Sequence, residues 1–291
     1  MTDAWPPLPY EEWRSTQETL HRYLQIAGKI RMALVPRLNH WWHVTLALTT
    51  RGLSTGPMPA GDRYAEIAFD LVDHELQLLT SDGGRAGFAL DDGLACATFY
   101  DRVVLGLEGL GVHIDIRAVP YDLGDATPFA RDTEHCRYDA DAVARFRQAL
   151  GDTERVLARL RSGFDGKQSP VQLFWHSLDL AHARFTGRRA EVAPEADAVT
   201  REAYSHELTA FGFWPGDDRR TPYPAFYSYV WPEPAGVEQR ALEPAQASWQ
   251  PSGDGHLAVL PYDAVRAAED PGATLLAFYE RAYAAGGQSL Q

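Results

Sequence analysis

Cysteine is scarce in this chain. Cys96 and Cys136 are its two cysteines among 291 residues, they fall in different predicted elements, and neither belongs to a CxxC pair. That excludes a disulfide framework and a four-cysteine metal knuckle, and it fits two reduced thiols in a cytoplasmic compartment. No run of eighteen apolar residues exists, so no helix is expected to span a bilayer. The opening stretch, Met1-Thr2-Asp3-Ala4-Trp5-Pro6-Pro7, lacks a basic segment followed by an apolar one, so no secretory leader is expected. Positive charge is also short: the formal net charge is −13. Nucleic-acid binders concentrate the opposite sign, so duplex DNA or RNA is a poor partner, and the acidic balance favours solubility. Several signatures are missing as well: a Walker loop, a dinucleotide glycine fingerprint, a GxSxG elbow and an HExxH pair. The sequence therefore assigns no cofactor, metal or oligomeric state.

Aromatic side chains are plentiful. Eight Trp and thirteen Tyr, with 45% hydrophobic residues overall, are enough for a substantial core. A first long helix is expected from about Glu11 to Leu34, with Trp13, Thr16, Leu20, Tyr23, Ala27, Ile30 and Leu34 on one face and Pro36 stopping it. A second is expected from Asp139 to Phe164, with Val143, Phe146, Leu150, Thr153, Leu157, Leu160 and Phe164 as its stripe. After each helix comes an alternating segment, Trp41 to Thr49 and Phe174 to His182, and each reaches a Gly/Thr turn, Ser54-Thr55-Gly56 and Phe185-Thr186-Gly187. Further strands are expected around Ile67 to Leu71, Leu76 to Leu78, Val112 to Val119, Tyr204 to Trp214, Ala225 to Trp231 and His256 to Leu260. Asp82-Gly83-Gly84 reads as a hairpin turn rather than a phosphate loop.

Each half closes on a similar helical word, Phe99-Tyr100-Asp101-Arg102 and Phe278-Tyr279-Glu280-Arg281. The expected fold is thus α+β. It consists of two diverged helix–strands–helix repeats, about 1–125 and 126–291, forming two units or one compact pseudo-twofold domain. The sheets are antiparallel-rich with helices on one face, because the apolar stripes must be buried against something. A ligand cleft is expected where the repeats meet.

Several words together resemble an uncharacterised bacterial family defined by a domain of unknown function. They are Trp5-Pro6-Pro7-Leu8-Pro9-Tyr10, Gly28-Lys29-Ile30-Arg31, Asn39-His40-Trp41-Trp42-His43-Val44-Thr45-Leu46, Arg184-Phe185-Thr186-Gly187-Arg188-Arg189 and Glu202-Ala203-Tyr204-Ser205-His206-Glu207. The resemblance covers nearly the whole chain and implies a bacterial protein of this one arrangement, with no activity attached. It departs at His176, where glycine is usual.

Two functional readings follow from the residues. In the first, an enzyme holds a small polar or anionic metabolite between the repeats. His206 serves as acid/base, or with His43 and Glu207 as a metal ligand; Asp179 orients it, and Lys29 or Arg184 holds the substrate. Asp179 stands out because it interrupts an apolar strand, where an unpaired carboxylate is costly. In the second, a non-catalytic module binds a small ligand in a pocket lined by Trp42, Trp175 and Trp214, with Lys29, Arg31 and Arg184 fixing an anionic group. His40 and His43 lie three apart, a spacing that does not suit two ligands on one strand face.

Overall fold

The computed structural model describes residues 4–219 and 221–287. Its first helix, α1 (Tyr10–Leu34), starts after Pro9, carries Glu11 and Glu12 in its first turn, and ends where Val35 becomes extended ahead of Pro36. Every residue from Arg22 to Ile30 is buried. A helix buried all round is a central one. The side bearing Trp13 and Tyr23 meets its neighbours through Phe146 at 5.0 Å and Phe99 at 3.9 Å between ring centroids. The other side buries Arg22, Gln25 and Lys29, polar groups that need partners from elsewhere in the chain.

The first sheet follows α1. Its strands are β1 (Ala47–Leu48), β2 (Gly52–Ser54), β3 (Met58–Ala60), β4 (Arg63–Asp70), β5 (Glu75–Thr80) and β6 (Arg85–Ala89), and α2 (Cys96–Gly109) closes this part. The order is β1-β2-β4-β5-β6, with β3 also on β4, and all pairs are antiparallel. The second part runs α3 (Ala140–Ser162), β7 (Gln172–Phe174), β8 (Asp179–Arg189), α4 (Ala198–Ala203), β9 (His206–Trp214), β10 (Ala225–Trp231), β11 (Ser248–Ser252), β12 (Gly255–Pro261), α5 (Tyr262–Arg266) and α6 (Pro271–Gly286). Its six strands are ordered β11-β12-β10-β9-β8-β7, again antiparallel. The Asp139 carboxylate caps α3 by accepting from the N–H groups of Asp141 and Ala142.

The helices cover one face of each sheet. α2 brings Phe99 onto Phe69 and Phe88, and α6 brings Tyr279 onto Phe211 and Phe226. One buried cluster runs from Trp5 to Ala282, so the two parts share a core. Their sheet edges meet where Leu46 and Leu173 exchange both backbone hydrogen bonds at 2.9 Å. None of the described helices is long and apolar enough to cross a membrane.

Three expected strands differ. Trp41 to Thr49 is mostly a turn. His40 and Trp41 take left-handed backbone conformations (φ 55° and 61°), and only Ala47–Leu48 is strand. The cause is distant: the Glu202 carboxylate accepts the His40 N–H at 2.9 Å. Phe174 to His182 is a hairpin corner, and the following strand runs through the expected Phe185-Thr186-Gly187 turn. Val112 to Val119 forms no ladder. Its backbone groups bond locally or to single partners, such as Val112 N–H to Leu107 O and Phe129 N–H to Ala118 O.

Candidate functional site at the seam

Phe174 pairs with Asp179, so residues 175–178 make a four-residue turn, with Leu178 left-handed at φ 57°. This turn lowers Trp175 onto α1. A Cβ at Gly28 would lie 2.1 Å from Trp175 Cδ1, so only glycine leaves room for the indole. Trp175 is 4% exposed, and its indole N–H has no partner among the described residues. Its carbonyl oxygen lies 2.8 Å from His21 Nε2, which must therefore carry the proton. Burial holds the His21 imidazole down to about 4, against an ordinary 6.5, so the ring is neutral.

His21, Gln25 and Lys29 are spaced four apart and share one face of α1. Gln25 is zipped to the chain at Tyr121: its Oε1 accepts the Tyr121 N–H at 2.8 Å and its amide donates to the Tyr121 carbonyl at 2.9 Å. Lys29 is different. It is 6% exposed, its Nζ sits 5.6 Å from the centre of the Trp175 ring, and it makes no hydrogen bond or ion pair with any described residue. Desolvation, and then the nearby Arg117 guanidinium, hold its ammonium below the usual lysine range. Desolvation disfavours the ammonium form, and no carboxylate among the described residues is paired with it.

Gly28→Ala tests the packing under this group. Helix propensity favours alanine by about 1 kcal/mol, yet the clash with Trp175 should reverse the sign, to a loss of about 2 kcal/mol. Denaturant melts combined with tryptophan fluorescence check this; a stabilised variant with an unaltered emission spectrum would contradict the packing.

The other candidates are dispersed. Asp179 opens β8 and accepts two hydroxyls, from Ser177 and, at 2.5 Å, from Tyr227. Tyr227 lies across Gly212, on the face of the second sheet not covered by helices, with Tyr229 parallel to it at 6.2 Å. Because Leu180 pairs with Phe213, Asp179 sits at the Trp214 end of β9, whereas His206 begins that strand. The strand length separates them by ~25 Å. The structure therefore does not assemble His206 and Asp179 into one acid–base pair. His206 instead has its Nδ1 3.1 Å from Ser205 Oγ, with its ring 5.3 Å from that of His40. Glu207 is held by Arg188 at 2.7 Å and by the Thr186 hydroxyl at 2.9 Å, and this contact lowers its pKa.

His43 locks a turn. Its Nδ1 accepts the Leu38 N–H at 3.2 Å, and its ring stacks on Trp41. Trp42 packs edge-on against Phe185 beneath the Lys167 ammonium. Arg31 donates to the Thr55 carbonyl. Arg184 is buried under the second sheet, where it donates to the Leu160 carbonyl at the end of α3 between Phe164 and Tyr283, each 4.8 Å away. Trp214 ends β9. Lys29 and Trp175 are brought into direct contact, with Asp179 at the far side of the same turn.

Two groups of acids and histidine approach closely enough to hold a cation, Asp125/Asp132/His135 and Glu233/Glu238/His256, each set within 4.8 Å. The first already has a cation. Arg22 meets Asp132 at 3.0 Å and Asp125 at 3.1 Å. In the second, the Glu233 carboxylate is bonded to the ring and backbone N–H of His256 at 2.9 and 2.5 Å. Two surface grooves of about 460 and 390 Å³ lie on the first sheet, around Arg63 and Tyr64, away from every candidate residue.

His21, Gln25, Arg117 and Tyr121 escape a reading by pattern. Their neighbour Lys29 does carry a signal in the sequence. Of 27 Lys and Arg residues, two are lysine, Lys29 and Lys167. A chain that uses arginine almost everywhere keeps an amine on its most buried helix.

The molecule is thus an α+β protein of two antiparallel sheets whose junction holds a largely buried lysine with no counter-ion among the described residues. The chain belongs to a family of unknown function (DUF5996), whose model matches residues 5–291. No curated protein and no solved structure matches it.

Proposed function

We propose that this protein binds a small organic anion at the seam, with Lys29 as the counter-charge. The observation that carries the reading is the Lys29 side chain itself: 6% exposed as a residue, near a second cation, and paired with no carboxylate among the described residues. A carboxylate or phosphate there would neutralise the site, and Arg117 would extend the hold. Trp175 would form an apolar wall, and its free indole N–H a further donor. Each part runs from a long helix through antiparallel strands to a closing helix, which supports an origin by duplication, with a boundary near residue 125 and the ligand at the junction. The two cysteines, neither in a disulfide, accord with a bacterial cytoplasmic setting.

Calorimetric titration with inorganic phosphate, acetate, succinate and citrate tests the reading. Saturable binding of at least one anion is expected, falling by about tenfold or more in Lys29→Met, since a charge-assisted contact is worth roughly 1.5–3 kcal/mol. Equal heats for both proteins with all four anions would sink it.

A further inference from the structure

Resting on that reading, we propose that the bound anion carries a carbonyl group and that Lys29 captures it as an imine, so that the site takes 2-oxo acids or similarly small carbonyl-bearing anions. Three observations point there. The first is the choice of residue. For holding an anion alone, arginine offers a two-pronged, permanently charged grip, and this chain uses arginine at nearly every other cationic position. An amine adds one capacity that a guanidinium lacks: it can lose its proton and attack carbon. The second is the setting. The Nζ faces the Trp175 ring at 5.6 Å, the side chain is 6% exposed, and no described carboxylate is in place to retain its proton. The third is Arg117, whose charge near Lys29 disfavours a second cation and is suited to the ligand's carboxylate. A desolvated lysine beside another cation is a general way of making an amine nucleophilic near neutral pH.

The chemistry balances without a redox partner. The neutral Nζ forms a bond to the carbonyl carbon, the carbon–oxygen π bond breaks, and one of the two nitrogen protons passes to the oxygen, giving a neutral carbinolamine. Loss of the remaining nitrogen proton and of the hydroxyl as water leaves the carbon–nitrogen double bond. One water is released and nothing is oxidised or reduced. The ligand's carboxylate stays intact as the group that Arg117 holds.

The scarcity of lysine makes the test clean, because Lys29, Lys167 and the N-terminus are the chain's only primary amines. The full chain is incubated with pyruvate or glyoxylate, reduced with borohydride, and mapped by peptide mass spectrometry. Labelling is expected at Lys29, about tenfold over Lys167, and suppressed by excess acetate. Lys29→Arg keeps the charge, so it should still bind acetate yet take no label at position 29. Acetate binding by the wild type with label only at Lys167 or the N-terminus would overturn the imine while leaving the anion site standing. Absence of both anion binding and Lys29 labelling would overturn the two together.

Discussion

Replacing Lys29 with methionine should make the ligand-free protein more stable. Methionine keeps an unbranched stem against Trp175 and removes the charge that burial penalises. Exchanging buried charge for an apolar chain of similar size commonly gains about 1–2 kcal/mol, which is roughly 2–6 °C in melting temperature for a chain of this length. The sign has a pH signature. The Lys29 ammonium is held below its unfolded pKa, so the unfolded state binds more protons above the folded value. The wild-type deficit is therefore largest at neutral and acid pH and shrinks as pH rises towards the ordinary lysine range. Thermal melts of both proteins without ligand, at pH 7 and near pH 10, measure this. A destabilised Lys29→Met at neutral pH would mean that the ammonium has a stabilising partner in the fold. Adding a bound anion should narrow or reverse the gap, because only the wild type gains from it.

A second large effect is expected on the acid side. His182 lies on β8 and is 1% exposed; its Nδ1 donates to the Ser169 carbonyl at 3.1 Å, its ring stacks on Phe211, and Arg161 and Arg184 are near. Burial first, and then those cations, hold it down to about 3, while His21 is held at about 4. Both rings are neutral in the folded chain, and both take up protons near 6.5 once unfolded. The unfolded state thus binds more protons below that point. The stability these groups contribute is fully present above about pH 6.5 and is lost as pH falls towards their folded values. By pH 4, His182 alone should remove about 3 kcal/mol, with His21 acting in the same direction. Carboxylates with lowered pKa, such as Asp125 at about 2, join only below about pH 4, so the upper part of the limb belongs to the histidines. Urea unfolding between pH 7 and 4 checks it. A flat free energy over that range, or a His182 ring titrating near 6.5 in the folded protein, would refute the burial argument.

Local chemistry explains which elements are readable. α1 and α3 follow from apolar steps of three and four, and Asp139 supplies a cap beside its own helix. The hairpin at Asp82-Gly83-Gly84 follows from Gly83, whose φ of 93° suits glycine. The strand Ala225–Trp231 alternates as its side chains do, with Phe226 turned to Tyr279 of α6 and Tyr227 to the other face. Segments whose conformation is decided from afar are not readable. Residues 41–49 look like an alternating strand, but a carboxylate 162 positions after His40 holds the His40 N–H, and the chain turns before the short strand Ala47–Leu48. The 175–178 corner is specified jointly by Leu46, which bridges to Leu173 beside it, and by Gly28, and neither Leu46 nor Gly28 is near it in sequence.

The candidate site divides in the same way. Lys29 and Trp175 stand out in the sequence as side-chain types, and the fold puts them in contact. His206, Glu207, His43 and Arg184 stand out on the same grounds, yet each is engaged where it lies: His206 at a strand end, Glu207 in an ion pair with Arg188, His43 in a turn, Arg184 at a helix terminus. Residue type alone cannot separate these cases, because a histidine or arginine satisfied by a carbonyl looks the same in sequence as one awaiting a ligand.

What this sequence determined by itself was short-range: two helical faces, a glycine turn, alternating strands, an acidic surface and the near-absence of lysine. The tertiary structure decided which polar groups go without partners. That outcome depends on which segments close over α1, since Gln25 meets Tyr121 and is satisfied, while Lys29, one turn further along, meets an indole ring and a second cation. Pairing is a property of three-dimensional neighbours, and the neighbours of Lys29 come from positions about ninety and about 150 residues away along the chain.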